Sequence, residues 1–172
     1  MGGIQNMSSS LRETALMVRA VATQHGARRI ITLGSSMGGF GALLVGALVD
    51  AEEAIAIAPQ TNLTPAWRSE HGDTRWGWKM DEMESIGYRP RDLKPILAAT
   101  QMRSRIFLDA SVEIDVTHAK HVENHAEIID IGHGGHVCAG YMHESGLAAQ
   151  VLREALNRQV VGEAAPDRAV AS

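Results

Sequence analysis

Residues 28–44, RRIITLGSSMGGFGALL, join a short apolar run to a run of small residues through a turn of glycine and serine. The apolar run, residues 29–33, predicts a strand, and residues 37–49 predict a helix. Between them Gly34-Ser35-Ser36-Met37-Gly38 fits the pattern G-x-S-x-G, which in this strand-to-helix context describes a sharp turn centred on its serine. The stretch therefore predicts the first strand of an α/β layered domain and the helix that follows it.

The turn is expected to place Ser36 at a positive φ, with its hydroxyl beyond the end of the strand. Its neighbours Gly34 and Gly38 are expected to lie too close to other backbone atoms for a Cβ, and Gly39 and Gly41 to let the helix approach the sheet. The helix N-terminus favours developing negative charge, so the N–H of Met37 is a candidate oxyanion donor. Ser35 is then the variable position, and Ser36 is the candidate nucleophile. The spacing of a nucleotide-binding glycine loop does not occur here.

Three further apolar runs, residues 54–58, 104–108 and 126–131, predict strands. Their continuous apolar character favours a parallel sheet whose strands are buried on both faces. Helical spacing of apolar residues predicts helices over residues 10–25, 116–124 and 147–159, and Gly26 is expected to end the first of them. Because strands and helices alternate, the chain is expected to form an α/β domain with helices on both sides of the sheet.

The segment between the second and third strands, about residues 60–103, is longer than an ordinary crossover. It contains Trp67, Trp76 and Trp78, the three tryptophans of the chain. Such an insert is either a lid that forms a pocket wall or a small core of its own, and the two interpretations are compatible. We expect a single domain over residues 1–160 with this lid-like insert, and a flexible tail over residues 161–172.

A nucleophilic serine requires a histidine as base and a carboxylate to orient it, and strand ends supply both in order. Asp109, Glu113 and Asp115 follow the third strand, and His133 and His136 follow the fourth. These loops leave the same edge of a parallel sheet as Ser36, so their side chains are expected to converge there. Asp115 also has the position of a helix N-cap, a purely structural alternative.

The stretches GSSMGGFGALL, DVTHA and GHGGHVCAGYMHESGLAAQVL resemble the C-terminal half of an α/β-hydrolase, a superfamily of serine esterases and acyl-hydrolases. The resemblance covers about residues 28–156. It implies a three-layer α/β sandwich with a short, mostly parallel sheet, a truncated version of that fold. A D-x-x-H-A segment in such proteins often carries the acid, and a G-H stretch the histidine, which correspond here to Asp115 and His136.

The strand that leads into the Ser36 turn, residues 29–33, is called the elbow strand. The resemblance also implies strands before it, for which this sequence has almost no room. The elbow strand is therefore expected at a sheet edge with unpaired backbone groups. A second copy of the chain is one way to cover that edge, so a homo-oligomer is one expectation. In such proteins the early strands normally bring the second oxyanion donor, and this sequence does not indicate which group replaces it.

Composition narrows the choice of partners. With 16 Lys+Arg against 20 Asp+Glu, the formal net charge is -4, and no basic block predicts a nucleic-acid or membrane partner. The single Cys138 favours a reducing compartment, and the N-terminus shows no signal-peptide pattern, so a cytoplasmic protein is expected. His118, His121 and His125 are expected to be exposed helix residues, because no metal-binding motif accompanies them. No cofactor is predicted.

The predicted function is that of a serine hydrolase cleaving a carboxylic ester or related acyl bond of a small molecule. Ser36, His136 and Asp115 are its expected catalytic residues, and Trp67, Trp76 and Trp78 are expected to shape its pocket. The alternative is a catalytically degenerate hydrolase fold that serves as a binding module, or a fragment of a longer hydrolase.

Overall fold

The computed structural model describes residues 10–85, 87 and 91–158. Four strands form one sheet in the order β1 (Ile31–Ser35), β2 (Glu53–Ile57), β3 (Arg103–Leu108) and β4 (Glu127–Asp130). All three pairings are parallel, which confirms the expected sheet type. The tail predicted over residues 161–172 lies outside the described residues.

Eight α-helices accompany the strands of the described chain: α1 (Leu11–Gln24), α2 (Met37–Leu48), α3 (Pro65–Glu70), α4 (Gly77–Ser85), α5 (Lys94–Ala98), α6 (Glu113–His121), α7 (Cys138–Glu144) and α8 (Leu147–Asn157). Ser10 caps α1 by accepting the N–H of Glu13 at 3.2 Å, and Gly26 follows the helix with φ 62°. The insert between β2 and β3 contains α3, α4 and α5, which the sequence analysis did not predict.

Side chains alternate between the two faces of the inner strands and so form two cores. On one face Ala54, Ala56 and Ile106 belong to a core with residues of α1, α2, α5 and α6. On the other face Ile55 and Phe107 belong to a core with residues of α7 and α8. The sheet therefore lies between two helical layers, and the predicted three-layer α/β sandwich is confirmed.

The strands are not equally buried. Every residue of β2 is buried, and β3 is buried from its second residue onward. The outer strands differ, because Leu33 of β1 is 51% exposed and Ile128 of β4 is 37% exposed. The prediction of burial on both faces is thus right for β2 and β3 and wrong for β1 and β4. An apolar run alone does not distinguish an inner strand from an outer one.

The close approach of α2 to the sheet occurs partly where the sequence predicts it. A Cβ on Gly39 would lie 2.9 Å from the Cβ of Pro59, whereas a Cβ on Gly41 would meet no atom within 4 Å. Gly46 provides the tightest approach to the sheet itself, since a Cβ there would lie 2.8 Å from Oγ1 of Thr32. The expected role is therefore confirmed for Gly39 and wrong for Gly41.

Among the described residues, no helix combines the length and the apolar character that crossing a bilayer requires.

Candidate active site

The turn between β1 and α2 holds Ser36 in a rare backbone conformation. Its φ of 53° and ψ of -120° lie where an L-residue is strained by about 1–3 kcal/mol. The backbone on both sides holds it there, because its N–H donates to the carbonyl of Ile57 at 2.8 Å and its carbonyl accepts the N–H of Phe40 at 3.1 Å. Such strain is characteristic of a side chain that must be presented at a fixed point.

The two glycines that flank Ser36 differ in their surroundings. A Cβ on Gly34 would lie 2.1 Å from the carbonyl oxygen of Gly38, so no other residue fits at position 34. A Cβ on Gly38 would meet no atom within 4 Å. The predicted clash is thus confirmed at Gly34 and wrong at Gly38, whose carbonyl is instead the group that Gly34 accommodates.

His136 faces Ser36 from the loop that follows β4. The distance between Ser36 Oγ and His136 Nε2 is 2.9 Å, within hydrogen-bonding range. The loop bends toward the sheet through Gly134 and Gly135, whose φ values are 94° and 59°. Its position is fixed by Asp109 at the end of β3, whose carboxylate accepts the N–H of Gly135 at 2.8 Å.

Asp115, in the first turn of α6, contacts His136 on the side of the ring away from Ser36. Its Oδ2 lies 2.8 Å from His136 Nδ1, and its side chain is fully buried. A carboxylate accepts hydrogen bonds, so His136 carries its proton on Nδ1 and leaves Nε2 free to accept the proton of Ser36. Because α6 begins at Glu113, three residues before the predicted start, Asp115 lies inside the helix and is not its N-cap.

The competing candidates lie elsewhere. Asp109 is buried, but it accepts backbone N–H groups of Ser111 and Gly135 instead of a histidine. A hydrogen bond from the Ser111 side chain, together with these backbone bonds, holds the pKa of Asp109 below its ordinary value. Glu113 is exposed at the start of α6. His133, the other histidine that follows β4, is exposed, and its ring centroid lies 5.0 Å from that of Tyr141.

A residue of the insert, Arg75, contacts the same carboxylate from its other side. Its Nη1 lies 2.7 Å from Asp115 Oδ1. The same nitrogen is 3.3 Å from His136 Nδ1, but both are donors directed at Asp115, so the two are neighbours and not hydrogen-bond partners. Both oxygens of the buried acid are therefore occupied. Sequence reasoning missed Arg75, whose contact with α6 depends on how the insert folds.

Behind Arg75 lies a buried pair, Asp73 and His118, whose side chains have no exposed area. His118 Nδ1 accepts the N–H of Thr61 at 3.0 Å, so its Nε2 carries the proton and donates to Asp73 at 3.0 Å. Burial holds the pKa of His118 below its ordinary value. Burial alone would raise the pKa of Asp73, but hydrogen bonds from His118 and Arg75 outweigh it and hold that pKa well below the usual range.

The expectation of exposed helix histidines is consequently wrong for His118, which is buried where α6 packs against the insert. Its ring centroid lies 4.3 Å from that of Trp67. The signal for its position was present, since residues three apart share a helix face and His118 follows Asp115 by three. His121, three residues after His118 on the same helix, is partly buried, and its Nε2 lies 2.7 Å from Asp92 Oδ1.

The three tryptophans occupy different environments. Trp67 is 9% exposed and stacks on His71 at 4.2 Å between ring centroids, so it belongs to the core of the insert. Trp76 and Trp78 are 45% and 68% exposed. Trp76 directly follows Arg75 and has a φ of 58°, so the backbone of this exposed residue lies in the left-handed region that favours glycine.

Two other groups bear on the chemistry. Met37 is the first residue of α2, where the N–H has no intrahelical partner and the helix dipole favours an anion. Cys138 is buried at the start of α7, and burial together with the charge of Asp115 raises the pKa of its thiol. Within the described chain, no three or more histidine, cysteine or acidic side chains form a group that could hold a metal ion.

No protein-family model matches this chain, and no curated protein matches it by sequence. Solved structures match its backbone. An α/β-hydrolase enzyme from the metagenome of Mar Chica lagoon sediments, Morocco, gives a TM-score of 0.59 at 16% identity over 89% of this chain and 72% of that one. MenH from S. aureus gives a TM-score of 0.58 at 15% identity, over 91% of this chain and 82% of that one. An esterase from Thermogutta terrifontis gives a TM-score of 0.54 at 16% identity, over 86% of this chain and 72% of that one.

The chain has the α/β-hydrolase fold.

Within the described part of this hydrolase fold, the sheet starts at the elbow strand. Strand β1 is therefore its edge, as the resemblance implied, and it pairs with β2 on one side. The identities of 15–16% to these three structures show likeness of the backbone alone.

Proposed function

We propose that the protein is a serine hydrolase that cleaves a carboxylic ester or a related acyl bond of a small molecule. One observation supports this most strongly: strained Ser36 lies 2.9 Å from a histidine whose other nitrogen lies 2.8 Å from a fully buried carboxylate. A merely structural serine has no need of that arrangement, which matches the roles of nucleophile, base and orienting acid.

In the proposed acylation step, Ser36 Oγ attacks the acyl carbonyl while His136 Nε2 accepts the hydroxyl proton. The imidazolium that forms is stabilised by Asp115, which also keeps the Nδ1 proton in place. The tetrahedral intermediate then collapses, and His136 returns the proton to the leaving alcohol, thiol or amine. The ester bond to Ser36 has replaced the bond to the leaving group.

In the proposed deacylation step, water takes the place of the leaving group. His136 removes a proton from the water as it attacks the acyl-enzyme, and returns that proton to Ser36 Oγ as the acid departs. In both steps the N–H of Met37 and the dipole of α2 face the developing oxyanion. Removing one oxyanion donor from a hydrolase costs about 10²–10³ in rate, so this N–H has a large share of the proposed stabilisation.

The proposed substrate pocket includes the exposed rings of the insert. Trp76 is exposed and directly follows Arg75, the residue of the insert that contacts Asp115. Trp78, two residues later, is the most exposed of the three tryptophans. Aromatic rings of this kind bind acyl chains and sugar rings through apolar contact.

A second candidate function, a binding module without catalysis, is favoured by the position of β1 at the sheet edge. In this candidate Ser36 is inert, and the exposed face that includes Leu33 receives a partner. The two candidates differ in one cheap observation, the turnover of an activated ester.

The test is hydrolysis of p-nitrophenyl acetate by the purified protein and two serine variants. The proposal predicts saturable turnover that is abolished in Ser36→Ala and retained in Ser35→Ala, the matched control for the neighbouring hydroxyl. It also predicts loss of turnover in His136→Ala. Turnover that survives Ser36→Ala, or no turnover by the wild type with any activated ester, contradicts the proposal.

A further inference from the structure

Arg75 joins two buried carboxylates with one guanidinium group. Its Nη1 donates to Asp115 at 2.7 Å, while its Nε and Nη2 donate to Asp73 at 2.9 and 3.2 Å. Both acids have fully buried side chains, and Arg75 itself is only 23% exposed. Removing one member of a buried ion pair leaves the other charge uncompensated, so the loss of any one of these three groups destabilises the other two.

The guanidinium is itself held in place from several directions. Asp73 Oδ1 accepts the backbone N–H of Arg75 at 3.0 Å as well as its Nε, and Arg68 donates to the carbonyl of Arg75 at 2.5 Å. Asp73 in turn receives the Nε2–H of His118. Because His118 and Asp115 share one face of α6, the insert and the acid are tied to the same helix.

We propose that Arg75 is a positioning residue for the catalytic acid, which locks the carboxylate of Asp115 in the orientation that His136 requires. This inference rests on the proposed hydrolase function and extends it to the insert. Without Arg75, Asp115 Oδ1 loses its charged partner and becomes a buried acceptor that water or another donor must satisfy. The carboxylate is then free to turn away from His136 Nδ1.

The geometry separates an effect on chemistry from an effect on substrate binding. Arg75 lies on the Nδ1 side of the His136 ring, while Ser36 lies on the Nε2 side. Loss of Arg75 is therefore expected to lower kcat and leave KM unchanged. A misplacement of about 1 Å in such a site costs about 10²-fold, so we expect a fall in kcat of that order.

A lysine cannot replace this guanidinium. Arg75 uses three nitrogens to reach Asp73 and Asp115 at once, whereas lysine offers one nitrogen and must choose between them. We expect Arg75→Lys to remain impaired although its charge is kept. In contrast, added ethylguanidinium, the fragment removed in Arg75→Ala, is expected to restore kcat in a saturable manner.

The kinetic test compares wild type, Arg75→Ala, Arg75→Lys and the control Lys94→Met, which removes an exposed charge from α5 in the same insert. The expected result is reduced kcat with constant KM in both Arg75 variants, rescue of Arg75→Ala by ethylguanidinium, and no change in Lys94→Met. Unchanged kcat in Arg75→Ala overturns the proposal. So does a fall in kcat that neither ethylguanidinium nor any other guanidinium of this size restores.

A second readout requires no turnover and so separates this inference from the proposed function. In wild type the proton between His136 Nδ1 and Asp115 is expected to give a far-downfield resonance in the NMR spectrum. We expect Arg75→Ala to lose that resonance through exchange with water, and Lys94→Met to keep it. If the wild type turns over no ester but the resonance depends on Arg75, the function fails and the positioning stands. A resonance unaffected by Arg75→Ala, or absent from wild type, overturns the positioning.

Discussion

Asp115→Asn tests the proposed acid with the smallest possible change of shape. The substitution keeps the volume of the side chain and replaces one oxygen by an NH₂ group. Its two partners, Arg75 Nη1 and His136 Nδ1, both donate, so the amide oxygen serves only one of them. Since Arg75 is charged and locked to Asp73, we expect the oxygen to face Arg75 and the NH₂ to face His136.

This orientation inverts the tautomer of His136. An NH₂ group beside Nδ1 requires that nitrogen to accept, so the proton moves to Nε2, where it blocks the transfer from Ser36. The variant also loses the charge that stabilises the imidazolium. Opposite charges about 4 Å apart at an effective dielectric constant of about 20 attract by about 4 kcal/mol, a factor of about 10³. With the inverted tautomer we expect a loss in kcat/KM of about 10⁴.

The assay is steady-state hydrolysis of an activated ester, with Glu113→Gln as the matched control because Glu113 is an exposed acid in the same turn of α6. The control is expected to retain wild-type activity. In an Arg75→Ala background the amide oxygen is free to face His136, so the added cost of Asp115→Asn is expected to be smaller. A loss of less than about tenfold in the single variant refutes the reasoning.

Three further predictions concern the supports of the site. Gly34→Ala places a Cβ against the backbone of α2 and is expected to lower the free energy of unfolding by about 3 kcal/mol or more in urea denaturation, whereas Gly41→Ala, in open space, is expected to cause no loss. Because burial lowers the pKa of His118 in the folded state, the unfolded chain binds a proton that the folded chain does not. The free energy of unfolding is therefore expected to be full above about pH 6.5 and to fall below it by about 1.4 kcal/mol per pH unit. His118→Gln is expected to remove this slope, and equal slopes in the variant and wild type contradict the buried, neutral state of His118. Asp109→Asn weakens the bond to the Gly135 N–H and is expected to reduce turnover about tenfold with Ser36 still reactive, and unchanged turnover means that this bond does not position the loop.

The sequence predicted the local parts of this molecule well. The elbow was readable because its requirements are local, namely a strand, a glycine at position 34 that tolerates the carbonyl of Gly38, and a helix. The continuous apolar character of the strand runs predicted a parallel sheet, and the alternation of strands with helices predicted the layered α/β arrangement. The order of Ser36, Asp115 and His136 along the chain and the topology of the sheet together predicted which loops meet.

What the sequence did not reveal depends on distant packing. Leu33 and Ile128 are exposed because β1 and β4 are the outer strands of the sheet. An apolar run has the same composition in an outer strand as in an inner one. The helices of the insert were missed although Pro65 begins one of them, a position that proline favours. Arg75 was missed because its two carboxylate partners lie two and 40 residues away, and only the folded insert brings them together.

The most direct test of the central claim is covalent labelling of Ser36 by a fluorophosphonate. The reagent reacts with a serine only when a neighbouring base removes its proton, so it reports the contact between Ser36 and His136 without assuming any substrate. We predict one adduct on the Ser36 peptide of the wild type by mass spectrometry, none in Ser36→Ala, and strongly slowed labelling in His136→Ala. An unlabelled wild type, or labelling at the same rate in His136→Ala, contradicts the account.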